Sequence, residues 1–144
     1  MRFWDSSALV PLIIEERTSP ACRQLLRADT TQIVFGFTRT EILSALWRRR
    51  RAGLLEDDDV VAAEARLDKL SARWTEVTSV PEVRDAAERL LRAYPLRAAD
   101  SLQLGACIAV FGTQRRDREF VVLDDLLADV ARQEGFKVVV PREQ

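Results

Sequence analysis

Met1-Arg2-Phe3-Trp4-Asp5-Ser6-Ser7-Ala8-Leu9-Val10 reads as a short buried strand turning directly into a helix. Bulky apolar Phe3 and Trp4 are followed by Asp5 and Ser6, residue types that begin helices. A strand in this position is expected at the centre of a parallel sheet. Asp5 then falls at its carboxyl end, where open α/β sheets place their sites.

Outward from that stretch, the pattern alternates between helical and extended segments. Ser7 to Glu16 has the apolar content of a buried helix, with Pro11 inside it either delaying the start or kinking the axis. Ser19-Pro20 opens a second helix to Ala28, and Gln32 to Phe37 is a strand. Thr38-Arg39-Thr40-Glu41 has capping-box spacing and begins a helix with Ile42, Leu43, Leu46 and Trp47 on one face; Arg48 to Arg51 and Gly53 end it. Further helices are expected over Asp57 to Leu70, Ser79 to Ala93 and Ala98 to Phe111, with a short strand over Trp74 to Thr78. Phe120 to Leu123 reads as a strand, Asp124 to Glu134 as a helix stopped by Gly135, and Lys137 to Val140 as the last strand. Continuous apolar runs mark strands covered on both faces, so the expected fold is a three-layer α/β/α domain spanning residues 1–144. Its central parallel sheet should have four or five strands.

The composition narrows the chemistry. With 144 residues the chain can bury roughly two-thirds of its unfolded surface in one core. Its formal charge is only -1, but all of the 22 basic residues except Lys69 and Lys137 are arginine, and they cluster. A polyanionic partner is therefore not excluded. No apolar run reaches signal-peptide or membrane-span length, so a cytoplasmic chain with no membrane partner is expected. Cys22 and Cys107 lack metal-ligand neighbours and read as buried thiols. There is no histidine, which removes imidazole bases, His-paired nucleophiles and His-ligated zinc.

What remains is acid. Asp5 and Asp124 directly follow apolar strands, Glu41 lies four residues beyond the strand ending at Phe37, and Asp100 sits in the first turn of an apolar helix. Singly, each has an ordinary role: Asp5 and Asp124 as N-caps, Glu41 as partner of Thr38, Asp100 as a complement to a helix dipole. Jointly, carboxylates converging on one sheet edge repel, and a hard divalent cation such as Mg²⁺ or Mn²⁺ resolves the repulsion. Without histidine, the metal itself must lower the pKa of a bound water and stabilise charge on a phosphoryl oxygen, which points to phosphodiester hydrolysis.

The segments Phe3-Trp4-Asp5-Ser6-Ser7-Ala8-Leu9, Thr38-Arg39-Thr40-Glu41-Ile42, Leu96 to Gly105 with Ala99-Asp100-Ser101 at its centre, Val121-Val122-Leu123-Asp124 and Gly135-Phe136-Lys137-Val138 together resemble the PIN-domain ribonucleases. The nearest resemblance is to the VapC-type toxins of bacterial toxin-antitoxin modules. It implies that Asp5, Glu41, Asp100 and Asp124 bind Mg²⁺ or Mn²⁺ in an endoribonuclease acting on single-stranded RNA. Asp125 stands beside Asp124 as an alternative fourth acid, and Ser6 resembles a hydroxyl that assists the site. It further implies a small antitoxin partner and a homodimer or toxin-antitoxin hetero-oligomer. Position 122 is Val where that family commonly carries Thr or Ser.

Arg39 and Arg97, near the acids in sequence, and Arg48 to Arg51 are candidate phosphate contacts, since guanidinium groups suit phosphates; the arginine run equally complements a helix C-terminus. Trp4 reads as core, and Trp47 and Trp74 as core or partner contacts. Two other readings compete: a non-catalytic relative that only binds RNA or protein, and a receiver-like phosphoacceptor. The receiver needs a lysine at the site, and neither Lys69 nor Lys137 is placed for it.

Overall fold

A computed structural model describes residues 1–29 and 31–142. Five strands, β1 (Arg2–Trp4), β2 (Gln32–Phe35), β3 (Thr75–Val77), β4 (Glu119–Val121) and β5 (Lys137–Val139), form one parallel sheet in the order β3-β2-β1-β4-β5. β1 is its centre, as expected. Among the described residues, seven helices cover the two faces: α1 (Ser6–Ile13), α2 (Ser19–Ala28), α3 (Thr38–Arg51), α4 (Asp57–Ser71), α5 (Val80–Ala93), α6 (Ala98–Phe111) and α7 (Asp125–Gln133).

The period of two along each strand divides the core in two. Phe3, Ile33, Phe35 and Phe120 point to one face and meet Val83 and Leu90 of α5, Leu104 and Cys107 of α6, and Leu127 of α7. Trp4, Val34 and Val121 point to the other and meet Leu9, Ile42, Leu46 and Leu67 of α1, α3 and α4. Both faces of each central strand are thus dry, which explains the unbroken apolar runs. Cys22 and Cys107 are free and buried. Among the described residues no helix is long and apolar enough to cross a membrane.

Strand order places the site. The chain leaves β1 for β2 on one side and later returns to β4 on the other, so β1 and β4 flank the switch point of the sheet. The crevice beyond their carboxyl ends is where such sheets bind ligands.

Several boundaries differ from the sequence expectations for identifiable reasons. α1 runs through Pro11 from Ser6 and stops at Ile13 rather than Glu16. Ser19 closes the connection there: its Oγ accepts from the Glu16 N–H at 2.8 Å and donates to the Ile14 carbonyl. β2 ends at Phe35, and β4 at Val121 with Leu123 outside the ladder. The capping box at Thr38 does not form. Phe37 is the N-cap, Thr38 is buried inside the first turn, and Glu41 turns away from the backbone. Trp4 and Trp74 are buried, whereas Trp47 is 38% exposed and donates to Glu64 Oε1. Gly53 (φ 78°) and Gly135 (φ 94°) hold the left-handed turns that end α3 and α7.

Candidate functional site

One open cleft of about 580 Å³ lies over the carboxyl ends of β1 and β4, and Asp5, Ser6, Glu41, Asp100 and Asp124 all line it. The acids come from four places: the β1–α1 turn, α3, α6 and the N-cap of α7. Asp125 points elsewhere, pairing with Arg142 at 2.9 Å. Of the two adjacent acids, it is Asp124 that faces the cleft.

Asp5 is the most constrained. Its Oδ2 accepts from the Ser7 N–H at 3.1 Å and from the Ser7 hydroxyl, so it does cap α1. The residue is 2% exposed and its Oδ1 is buried with no hydrogen-bond partner. Burial pushes its pKa up to about 7; the Ser7 bonds oppose this, and the nearby charges of Glu41 and Asp100 add to it. Capping and chemistry are thus not alternatives at this residue: one oxygen caps and the other is left over.

Glu41 lies one turn into α3. Its Oε2 accepts from the Ser6 hydroxyl at 3.0 Å and its Oε1 from the Gln103 amide at 3.0 Å. Burial raises its pKa, the two bonds hold it down, and the Asp100 charge raises it again. Asp100, half-buried, is raised by burial and by the Asp124 charge, with Arg97 opposing. Asp124 caps α7, its Oδ1 accepting from the Leu127 N–H at 2.8 Å, and remains exposed.

These shifts describe carboxylates that feel one another across a cleft. Among the described residues, no three acid or cysteine side chains stand as a closed metal-ligand cluster. The caps on Asp5 and Asp124 anchor those two groups to the starts of α1 and α7. The donor set is nonetheless all hard oxygen, and the unpartnered Oδ1 of Asp5 is an acceptor lacking a donor or cation. The residues therefore fit Mg²⁺ or Mn²⁺ in chemistry, as an open arrangement rather than a closed cage.

The arginines sort by geometry. Arg48 is exposed on the cleft wall beside Arg49, whose guanidinium donates to Glu16 Oε1 at 2.8 Å and to the Ala45 carbonyl. Arg97 is exposed at the N-cap of α6, within electrostatic reach of Asp100. Arg39 turns to α4, donating to Asp68 and Ser71, and Arg51 is exposed at the end of α3 outside the cleft lining. Lys137 pairs with Glu119 at the far end of the sheet, so it is no receiver-type lysine.

Three participants escaped sequence reasoning. Ser7 tethers Asp5, Gln103 tethers Glu41, and Glu16 holds Arg49. Only Gln103 carried a signal, as the one amide within the otherwise apolar stretch Leu102 to Phe111. No protein-family model matches the chain. No curated protein matches it. Among solved structures, it is similar to a chain of a toxin-antitoxin complex from Klebsiella pneumoniae, with a TM-score of 0.64, 16% identity and 100% of both chains covered. At that identity the similarity is one of fold.

Proposed function

We propose that this chain is a metal-dependent endoribonuclease of the PIN-domain type and the toxin component of a type II toxin-antitoxin module. The observation that carries the chemistry is the cleft itself. Four carboxylates from four segments line it, and a buried oxygen of Asp5 has no partner. The fold shared with a chain of a toxin-antitoxin complex supports the biological setting, including a small antitoxin as partner.

In this reading Asp5, Glu41 and Asp100 hold Mg²⁺ or Mn²⁺, with Asp124 completing the site. When bound, a hard divalent cation neutralises charge on the phosphoryl oxygens and acidifies water. The chain supplies the rest. Ser7 keeps one oxygen of Asp5 occupied and leaves the other without a side-chain partner, Ser6 and Gln103 fix the Glu41 carboxylate, and Arg48 receives a phosphate of the RNA backbone. The depth of Asp5 excludes water from its free oxygen, which strengthens its attraction for a cation.

A second reading, a non-catalytic binding module, draws on the absence of a closed ligand cluster among the described residues. One assay separates the two. Purified protein is incubated with end-labelled single-stranded RNA in Mn²⁺ or in EDTA, beside Asp5→Asn and Asp100→Asn. Cleavage is expected only for the unsubstituted chain with metal; RNA retention without cleavage would favour the binding module. Induced expression without antitoxin should arrest growth for the unsubstituted chain alone.

A further inference from the structure

Gln103 is buried in α6 at 0% exposure, and its Nε2 donates to both Thr38 Oγ1 and Glu41 Oε1 at 3.0 Å. Its own Oε1 is buried with no partner. Turning the amide over would let the Thr38 hydroxyl donate to the amide oxygen but would set that oxygen against Glu41, which when ionised only accepts, so the bond to the carboxylate requires the N–H side. An apolar side chain of similar length would avoid the unpaired oxygen on a helix whose neighbouring Leu104, Ala106 and Cys107 are fully buried. The arrangement therefore sacrifices stability to place one N–H group against Glu41.

The other half of the carboxylate is treated alike. Ser6, from α1, donates to Glu41 Oε2 at 3.0 Å. Both oxygens of one acid are thus held by neutral donors from two helices other than its own. A lysine or arginine in either place would fix the orientation but cancel the charge; an amide and a hydroxyl fix it and leave the charge for a cation. Asp100 sits three residues before Gln103 and so on the same side of α6. One helix delivers a cleft acid and, a turn deeper, the tether of another.

We infer that Gln103 is a positioning residue of the acidic cleft, locked by Thr38 and acting with Ser6 to hold the Glu41 carboxylate ready for a divalent cation. This rests on the metal-binding reading of the cleft proposed above, but not on RNA cleavage.

The test is Mn²⁺ titration calorimetry on Gln103→Met, which keeps the length and removes the donor, paired with melting in EDTA. Ser6→Ala serves as a second tether variant. Ile108→Val, which trims α6 one turn beyond Gln103 without touching Glu41, serves as a stability control. Gln103→Met should melt close to the unsubstituted protein and bind Mn²⁺ about 10–100-fold more weakly, Ser6→Ala should weaken it in the same direction, and Ile108→Val should lower the melting temperature with Mn²⁺ affinity unchanged. Unchanged affinity in Gln103→Met, or losses that merely track melting temperature across the variants, overturns the inference. Failure of the unsubstituted chain to bind Mn²⁺ overturns it together with the metal reading. Loss of Mn²⁺ binding in Gln103→Met supports it even where the unsubstituted chain leaves RNA intact, an outcome that removes only the nuclease reading.

Discussion

Leu123 donates its backbone N–H to the Ser7 hydroxyl at 2.9 Å, so the chain leaving β4 is tied to the first turn of α1. The same hydroxyl donates to Asp5 Oδ2, and the Asp5 N–H donates to the Val121 carbonyl at 2.9 Å. The two strands that flank the switch point are therefore cross-linked just beyond their ends. That cross-link forms the floor of the cleft. It ends β4 at Val121 and sets Asp5 and Asp124 in one frame, although position 122 is a buried Val with no hydroxyl to offer.

Ser7→Ala removes both bonds of that hydroxyl. Leaving a partly buried N–H and a carboxylate oxygen short of a partner costs roughly 1–3 kcal/mol. Urea denaturation should show a loss in that range. The Ser7 bonds also restrain the Asp5 pKa, so carboxyl NMR titration should find it higher still in the variant. An unchanged Asp5 titration would remove Ser7 from the site.

The three raised acids set the direction of the pH dependence. A carboxyl whose folded pKa lies above its unfolded value stays protonated in the folded chain after the unfolded chain has ionised, so stability falls as pH rises across that interval. For Asp5 the interval runs from 3.8 to about 7, and Glu41 and Asp100 shift in the same sense. Glu119 and Glu134, which their arginine partners hold low against burial, act oppositely and only at lower pH. Metal-free protein should therefore lose melting temperature between pH 5 and pH 7.5, and Asp5→Asn should flatten the slope by about 2–4 °C per kcal/mol recovered. Added Mg²⁺ should restore the unsubstituted chain at pH 7.5 far more than at pH 5 and leave Asp5→Asn unmoved.

Gly105 lets α5 and α6 touch backbone to backbone. A Cβ there would stand 2.9 Å from the Val83 carbonyl oxygen and 3.0 Å from the Ala87 nitrogen. Main-chain atoms cannot swing aside, so Gly105→Ala should destabilise by about 1–3 kcal/mol despite alanine's better helix propensity. The clash would displace the α6 backbone that carries Asp100 and Gln103, so Mn²⁺ affinity should drop through that displacement rather than through lost stability. A urea midpoint equal to that of the unsubstituted chain would show that the helices have room to part.

Arg48 and Arg39 separate a cleft arginine from a structural one. Binding of single-stranded RNA is read by fluorescence anisotropy in the Asp100→Asn background, where cleavage is blocked. Arg48→Ala should weaken binding and reduce the salt slope by about 0.7 per lost phosphate contact. Arg39→Ala, whose guanidinium is engaged by Asp68 and Ser71, should leave both unchanged. Equal losses in the two variants would contradict the cleft as the RNA path.

Much of the architecture is local in origin and therefore legible along the chain. The paired apolar residues of β1, the proline near the start of α5 and the glycines after α3 and α7 act within a few residues of themselves, and each appears where its chemistry implies. The acids at the ends of β1 and β4 were equally plain, because a carboxylate that follows a strand doubles as the cap of the next helix. Thr38 misled for a related reason. Its spacing to Glu41 fits a capping box, but burial against Gln103 outweighs a local bond that water can replace.

Residue type and periodicity, which act over one or two turns, were enough to specify a covered parallel sheet, its central first strand and four candidate acids without a histidine among them. Partners separated by long stretches of chain were not. Gln103 reaches Glu41 across 62 positions and Leu123 reaches Ser7 across 116. Such bonds exist only after strand order and helix packing have brought distant backbone together, because closing those loops costs entropy that the whole core, rather than any single motif, must offset.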